Sequence, residues 1–416
     1  MNILYINHYA GGLKYGMEFR PFYLAREWVK AGHRVRIIAA DFSHLRTINP
    51  KLGNDFEIEN IEGIEYQWIK TGTYKRNGIA RALTMFKFVG KLWKNAEKIA
   101  DEFRPDVVIS SSTYPLDTYA AQRIKRFAIR NLVNGVKCKY IHEGHDLWPL
   151  TLIEVGGMSK WNPFCQLMSL AEQSAYLNAN TIVSVLPDTL SHMVKNGLKD
   201  EEKFNFIPNG IVKEDWYTAE PLEGETADCL TKLHQEGKFV VLYIGGHAIS
   251  NALDTFVEAA AAMNNDKSVA FVMIGKGVEK NRLINKAESL QVTNLYFLPP
   301  VSKEKVPNTL KEADVLYVGA KTCSIYRYGV SMNKLYDYMM AGRPIINGVK
   351  ASNDDVADAS CGITVKPESP EAIVDAVKKL QAMPKSDREE MGARGRKWVL
   401  NNAEYANLSD RFLQLF

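Results

Sequence analysis

The run Phe239-Val240-Val241-Leu242-Tyr243-Ile244 is apolar at every position. A strand has two faces, so a run without polar alternation must be covered on both, as in a parallel sheet flanked by helices. Similar short runs recur at 269–274, 294–298, 315–318 and 344–347, with helix-period segments such as 252–263 between them. The first half repeats the pattern, with strands expected at 3–6, 35–39, 107–110, 139–142 and 181–185. Helices are expected from Phe19 to Gly32, over 80–103 and over 116–130, while 41–74 has mixed period and reads as loops with strands. Alternation of this kind predicts an α/β chain of two doubly wound Rossmann-like domains.

The junction falls near Ile207-Pro208-Asn209-Gly210, which divides the chain into 1–207 and 208–399, with a helix at about 400–416 expected to pack back on the first domain. Doubly wound sheets bind ligands at the carboxyl ends of their strands, and two facing domains would form a cleft. Composition narrows the class. The five cysteines (138, 165, 229, 323, 361) are scattered without a C-x-x-C pair, which argues against a disulfide framework or a zinc ribbon and suits a reducing cytoplasm. No stretch reaches the roughly 20 apolar residues of a spanning helix, and the chain opens on a strand pattern rather than a signal peptide.

Each half follows its opening strand with a glycine pair, Gly11-Gly12 and Gly245-Gly246, whose amides could approach an anion at a helix N-terminus. Neither site completes G-x-G-x-x-G, Gly275-Lys276-Gly277 lacks the third glycine, and no P-loop is present. The richest segment is Tyr326 to Ile346. A glycine-containing loop enters a helix expected to carry Ser331 and Lys334 in its first turns, with Asp337 on the same face. Its N-terminus, Lys334 and the nearby Arg327 would hold a diphosphate, and Asp337 would accept from ribose hydroxyls. The plain structural alternative is a surface pair between Lys334 and Asp337.

The segment Ser331-Met332-Asn333-Lys334-Leu335-Tyr336-Asp337-Tyr338-Met339 resembles the nucleotide-sugar motif of retaining family 4 glycosyltransferases with the GT-B fold. It is similar to their S-P-x-K-L-x-[DE]-Y-M branch, which acts in bacterial surface polysaccharide synthesis. Tyr243 to His247, Asn251 to Asp254, Phe271 to Glu279, Phe297 to Val301, Ile207 to Ile211 and His145 to Pro149 resemble further family segments in the usual order. The resemblance implies a transfer from a nucleotide-diphosphate sugar, UDP-linked, to a glycan or polyprenyl-diphosphate-linked acceptor. It implies donor contacts at Gly11, Gly12, Gly245, Gly246, His247, Gly275, Gly277, Pro300, Val301, Tyr328, Gly329, Val330, Ser331 and Asp337. Catalytic roles fall on His145, Lys334 and Arg327, and acceptor contacts on His8 and Asp146. Glu143 and His142 are placed second to His145 on strand alternation. No D-x-D stands at a strand end, and no metal or resident cofactor is expected. The chain departs from the pattern at Gly329, where many members carry a glutamate, at Met332 and at Val212. A nucleotide-sugar 2-epimerase of the same fold and a non-catalytic nucleotide- or carbohydrate-binding protein are the alternatives.

The whole chain carries a net charge of +4, yet residues 71–140 hold 14 cations against 5 anions, a local +9. Within it, Met85 to Lys94 mixes Phe86, Phe88 and Trp93 with Lys87, Lys91 and Lys94. Such a surface suits either a solvated amphipathic helix or contact with anionic lipid at the inner membrane face. No nucleic-acid recognition motif accompanies it.

Overall fold

The computed structural model describes residues 1–75, 78–130 and 138–416, so Arg76 and Lys137 of the basic segment lie outside the described residues. The chain divides into two compact units. The first comprises Met1–Asn209, Tyr328–Ser331 and Tyr405–Phe416, and the second Gly210–Arg327 and Met332–Glu404.

The first unit is built on eight strands: β1 (Asn2–Ile6), β2 (Arg34–Ala40), β3 (Glu57–Ile61), β4 (Ile64–Ile69), β5 (Val107–Ser110), β6 (Lys139–Gly144), β7 (Thr181–Ser184) and β8 (Phe204–Phe206). Their order is β3-β4-β2-β1-β5-β6-β7-β8, parallel throughout except for the β3–β4 hairpin. The second unit has six: β9 (Phe239–Ile244), β10 (Val269–Ile274), β11 (Leu295–Leu298), β12 (Val315–Gly319), β13 (Ile345–Gly348) and β14 (Gly362–Thr364). These run β11-β10-β9-β12-β13-β14, all parallel. Each sheet reverses its winding direction beside its first strand, between β1 and β5 and between β9 and β12. Such switch points open a crevice where diverging helices leave the strand ends uncovered.

All six residues of β9 are buried, as its unbroken apolar run requires, and so are all six of β10. Side chains on one side of this sheet, such as Tyr243, Phe271 and Tyr317, pack with Phe256, Val257 and Leu380 into one core. Burying each such side chain contributes about 1.5–3 kcal/mol, which is why these strands dominate the unit's stability. The first unit's core draws on Leu4, Ile6, Val108 and Tyr140 from the sheet and on Leu92, Ile99 and Ile124 from the helices.

Three local expectations are corrected. The helix foreseen over 80–103 is two, Ile79–Lys94 and Ala96–Phe103, divided at Asn95, whose side chain donates to the Lys91 carbonyl at 2.9 Å. The helix after Gly11-Gly12 begins only at Arg20, and the one after Gly245-Gly246 at Leu253, so neither glycine pair abuts an α-helix N-terminus. Ser331 precedes its helix, which runs Asn333–Ala341 behind an N-cap at Met332. Among the described residues no helix is long and apolar enough to cross a membrane.

Candidate active site

In the second unit the ends of β9 and β10 are folded against each other. Gly245, Gly275 and Gly277 have φ of +155°, +148° and +158°, backbone that L side chains rarely adopt. A Cβ on Gly275 would lie 2.0 Å from the Gly245 carbonyl oxygen, and one on Gly277 would lie 2.3 Å from that of His247. Glycine is therefore required by the close approach of the two turns.

Lys334, in the first turn of helix Asn333–Ala341, reaches this place. Its Nζ donates to Asn251 Oδ1 at 2.6 Å and to the Tyr243 hydroxyl at 3.4 Å, and stands 5.3 Å from the Tyr243 ring centre. Asn251 Nδ2 and Tyr243 Oη in turn both donate to the Gly246 carbonyl at 2.8 Å. A Cβ on Gly245 would sit 3.9 Å from the ammonium. Burial pushes Lys334 down to about 8. Its hydrogen-bond partners are an amide oxygen and a phenol, so among the described residues the cation has no carboxylate to offset its desolvation. His247 beside it is fully buried, with neither ring nitrogen hydrogen-bonded among the described residues. Burial first and Lys280 second push its imidazole down to about 4, which keeps it neutral.

Asp337 faces elsewhere. Burial pushes its carboxyl up to about 7, Lys303 pulls the other way and Asp215 adds to the rise. Lys303 Nζ lies 3.2 Å from Asp215. Lys334 and Asp337 thus have separate neighbours and do not form the surface pair that spacing alone allowed. Pro300 is exposed and Val301 partly so, just beyond β11, whose last carbonyl (Leu298) and that of Gly275 both accept from Lys280 Nζ, at 2.8 and 3.0 Å. Arg327 is exposed in a short 3-10 turn and donates to the Ser324 carbonyl at 2.8 Å.

In the first unit the corresponding strand ends carry a charged network. Glu143, on β6, is fully buried and accepts from Arg20 Nε at 2.9 Å, from Ser111 Oγ at 2.6 Å and from the Tyr5 hydroxyl. His145 Nε2 lies 2.7 Å from Ser111 Oγ and 3.2 Å from Glu143 Oε2. Burial alone would raise Glu143, but Arg20 and His145 outweigh it and hold the carboxylate well below its ordinary range. Strand alternation sends His142 to the other side, where Nδ1 meets Ser110 Oγ at 3.0 Å, and brings Glu143 and His145 together. Sequence alternation places Glu143 second to His145 and takes no account of its buried partner Arg20, which lies far away along the chain.

Three of the expected contact points in this unit have partners within the unit itself. His8 is fully buried, its ring packed against Tyr9 and Phe88 at 4.4 and 4.7 Å and its Nδ1 2.6 Å from the Tyr114 hydroxyl, while Nε2 has no hydrogen-bond partner among the described residues. Asp146 is engaged within its own turn, accepting from Leu147 N at 2.8 Å, Thr151 Oγ1 at 2.5 Å and Trp148 Nε1 at 3.2 Å. The Gly11 and Gly12 amides go to the Glu18 and Gly16 carbonyls at 2.8 and 2.9 Å, and Arg46 Nε pins the same loop through the Ala10 carbonyl. Tyr328 to Ser331 group with the first unit: Ser331 Oγ accepts from Asn209 N at 2.8 Å, the Tyr328 carbonyl accepts from Asp188 N at 3.2 Å, and Gly329 has φ of +91°.

Two doubly wound units of mostly parallel strands are the architecture of the GT-B class of α/β proteins. Residues 15–215 match the model described as Glycosyltransferase Family 4, and residues 231–398 the one described as Glycosyl transferases group 1. The two matches together support a glycosyltransferase with the GT-B fold, family 4 in type over its first half and group 1 over its second. The chain is 24% identical over 237 residues to the putative colanic acid biosynthesis glycosyl transferase WcaI of Escherichia coli K12. That stretch covers 56% of this chain and 56% of WcaI, so the chain matches a little over half the length of this curated relative. Sucrose-phosphate synthase from Thermosynechococcus elongatus superposes with a TM-score of 0.71 at 15% identity, covering 100% of this chain and 98% of the other. Anabaena HepE in complex with UDP gives 0.68 at 11% identity, covering 100% and 99%. At such identities these likenesses speak for the fold.

Proposed function

We propose that the chain is a retaining glycosyltransferase of the S-P-x-K-L-x-[DE]-Y-M branch, moving a hexosyl or N-acetylhexosaminyl group from a UDP-sugar. The acceptor is a glycan or a polyprenyl-diphosphate-linked glycan of surface polysaccharide synthesis, met at the cytoplasmic face of the membrane. The observation that carries the reading is the Lys334 ammonium, desolvated at the Gly245–Gly246 turn with only neutral hydrogen-bond partners. A buried cation without a counter-ion favours an anionic ligand, and a diphosphate supplies one. The UDP bound by HepE and the colanic acid role in the name of WcaI point the same way.

In this reading residues 208–399 bind the donor and residues 1–207 the acceptor. Lys334, with Arg327, offsets the charge that grows on the leaving diphosphate, and Asp337 accepts from the ribose. The acceptor oxygen bonds to the anomeric carbon on the face the diphosphate leaves, and its proton passes to the departing phosphate oxygen. No metal or resident cofactor takes part. His145, oriented by Ser111 and Glu143, lies beside the sugar and donates to a hydroxyl. A panel of UDP-, GDP- and dTDP-sugars tests the proposal. UDP release and raised thermal stability with UDP are expected; neither occurring with any donor would sink it, and donor interconversion without acceptor would favour the epimerase.

A further inference from the structure

A groove of about 570 Å³ in the first unit lies outside the strand-end network described above. Helix Ile79–Lys94 forms one wall, through Arg81, Leu83 and Phe86, and Trp148, Leu152 and Phe164 line the rest. The helix buries Thr84, Met85, Phe88 and Leu92, yet on its other side Ile79, Leu83 and Phe86 remain 82%, 53% and 41% exposed. A helix apolar on both sides is expected to have two apolar neighbours, and the core supplies one. It also carries Arg81, Lys87, Lys91 and Lys94 and no acidic residue. Arg81 stands at the groove with its guanidinium 5.3 and 5.9 Å from the ring centres of Tyr9 and Trp148. The groove adjoins the His145 turn, because Trp148 is the side chain whose indole Asp146 holds.

We infer that this groove holds the hydrocarbon chain of an amphiphile whose phosphate head lies by Arg81. The inference rests on the lipid-linked form of the acceptor proposed above. Charge complementarity selects an anionic head, and the apolar walls select the chain. A flat bilayer surface would use the exposed stripe alone, whereas Trp148, Leu152 and Phe164 add an opposing wall suited to a single chain.

The full-length protein is titrated with hexyl, dodecyl and farnesyl phosphate below their micelle concentrations, read by calorimetry. Dodecyl phosphate is expected to bind at least about tenfold tighter than hexyl phosphate, since each added methylene leaves water. Leu83→Asp and Phe86→Asp, both at exposed positions, are expected to lose at least about tenfold at unchanged Tm, and Arg81→Gln to bind dodecyl phosphate no better than dodecanol. Tighter farnesyl than dodecyl binding assigns a prenyl chain, and the reverse an acyl chain. Equal affinity for hexyl and dodecyl phosphate, or wild-type binding by both aspartate variants, overturns the inference. So does flotation with phosphatidylglycerol vesicles in the absence of dodecyl phosphate binding, which would assign the face to a bilayer surface. Protection by UDP, measured on the same samples, reports on the donor reading separately: chain binding without UDP protection leaves the groove standing and removes the donor site.

Discussion

The two sheets hold the charges at their strand ends in opposite ways. At the end of β6 the Glu143 carboxylate and the Arg20 guanidinium are both fully buried and bonded to each other, and the remaining guanidinium nitrogens donate to the Ile207 and Pro208 carbonyls. At the end of β9 the Lys334 ammonium has an amide oxygen and a phenol. The first arrangement is closed and needs no ligand to balance it. The second carries a positive charge with no carboxylate partner among the described residues, so the proposed anion would not compete with one there. One site fixes a histidine; the other is where the proposed diphosphate would find its counter-charge.

The sharpest break of this contrast is removal of Lys334. Lys334→Ala is expected to lower turnover with a UDP-sugar by about 10²–10³-fold and to abolish thermal protection by UDP, in line with loss of a charged group that stabilises a leaving group. His145→Ala should lower turnover while leaving UDP protection intact; equal loss of protection in both variants would erase the division between the two sites. Next in size is the closed pair. Arg20→Met leaves a buried carboxylate without its partner and should cost about 3–5 kcal/mol in urea unfolding. The double variant Arg20→Met with Glu143→Leu should recover much of that loss. Gly277→Ala places a Cβ against the His247 carbonyl and should destabilise by more than about 2 kcal/mol, a Tm shift that calorimetry resolves.

The smallest effect is in pH. Lys334 titrates near 8 when folded, below the ordinary lysine value, so the unfolded chain binds the proton more tightly. Stability should therefore gain between about pH 8 and 10.5 as the buried site sheds its charge. UDP protection should fade over the same rise, because the neutral amine no longer attracts phosphate. Lys334→Arg, which stays charged, should keep whatever protection it has across that range. A flat wild-type profile would mean that the ammonium is not the anion's partner.

Much of the fold was legible. Strands covered on both faces announce themselves by unbroken apolar runs, and β5, β9 and β10 fall where such runs stand, to the residue. The short β8 and β14 were not read, because three-residue strands with partly exposed side chains carry no periodicity. At the candidate site, local spacing put Lys334 and the Gly245–Gly246 turn on the page. It misjudged what depends on distant partners. His8 looks free in one dimension, yet its ring is buried with Nδ1 on the Tyr114 hydroxyl, 106 positions away. Glu143 gained its weight only from Arg20, a pairing across 123 positions that no local pattern encodes.

The discontinuity of the first unit bears on how the chain folds as it is made. Trp28 is fully buried, and Phe412 and Phe416 meet it edge-on at 5.3 and 5.4 Å between ring centres, while Tyr405 lies 5.0 Å from Tyr23. During synthesis these covering rings leave the ribosome only after the whole second unit. The first unit must wait with an aromatic surface uncovered while the second, 210–327 and 332–404, can close on residues already made. The unit synthesised first is thus the one completed last, and a released chain ending at residue 404 would hold every residue of the second unit while lacking the rings that cover Trp28 in the first.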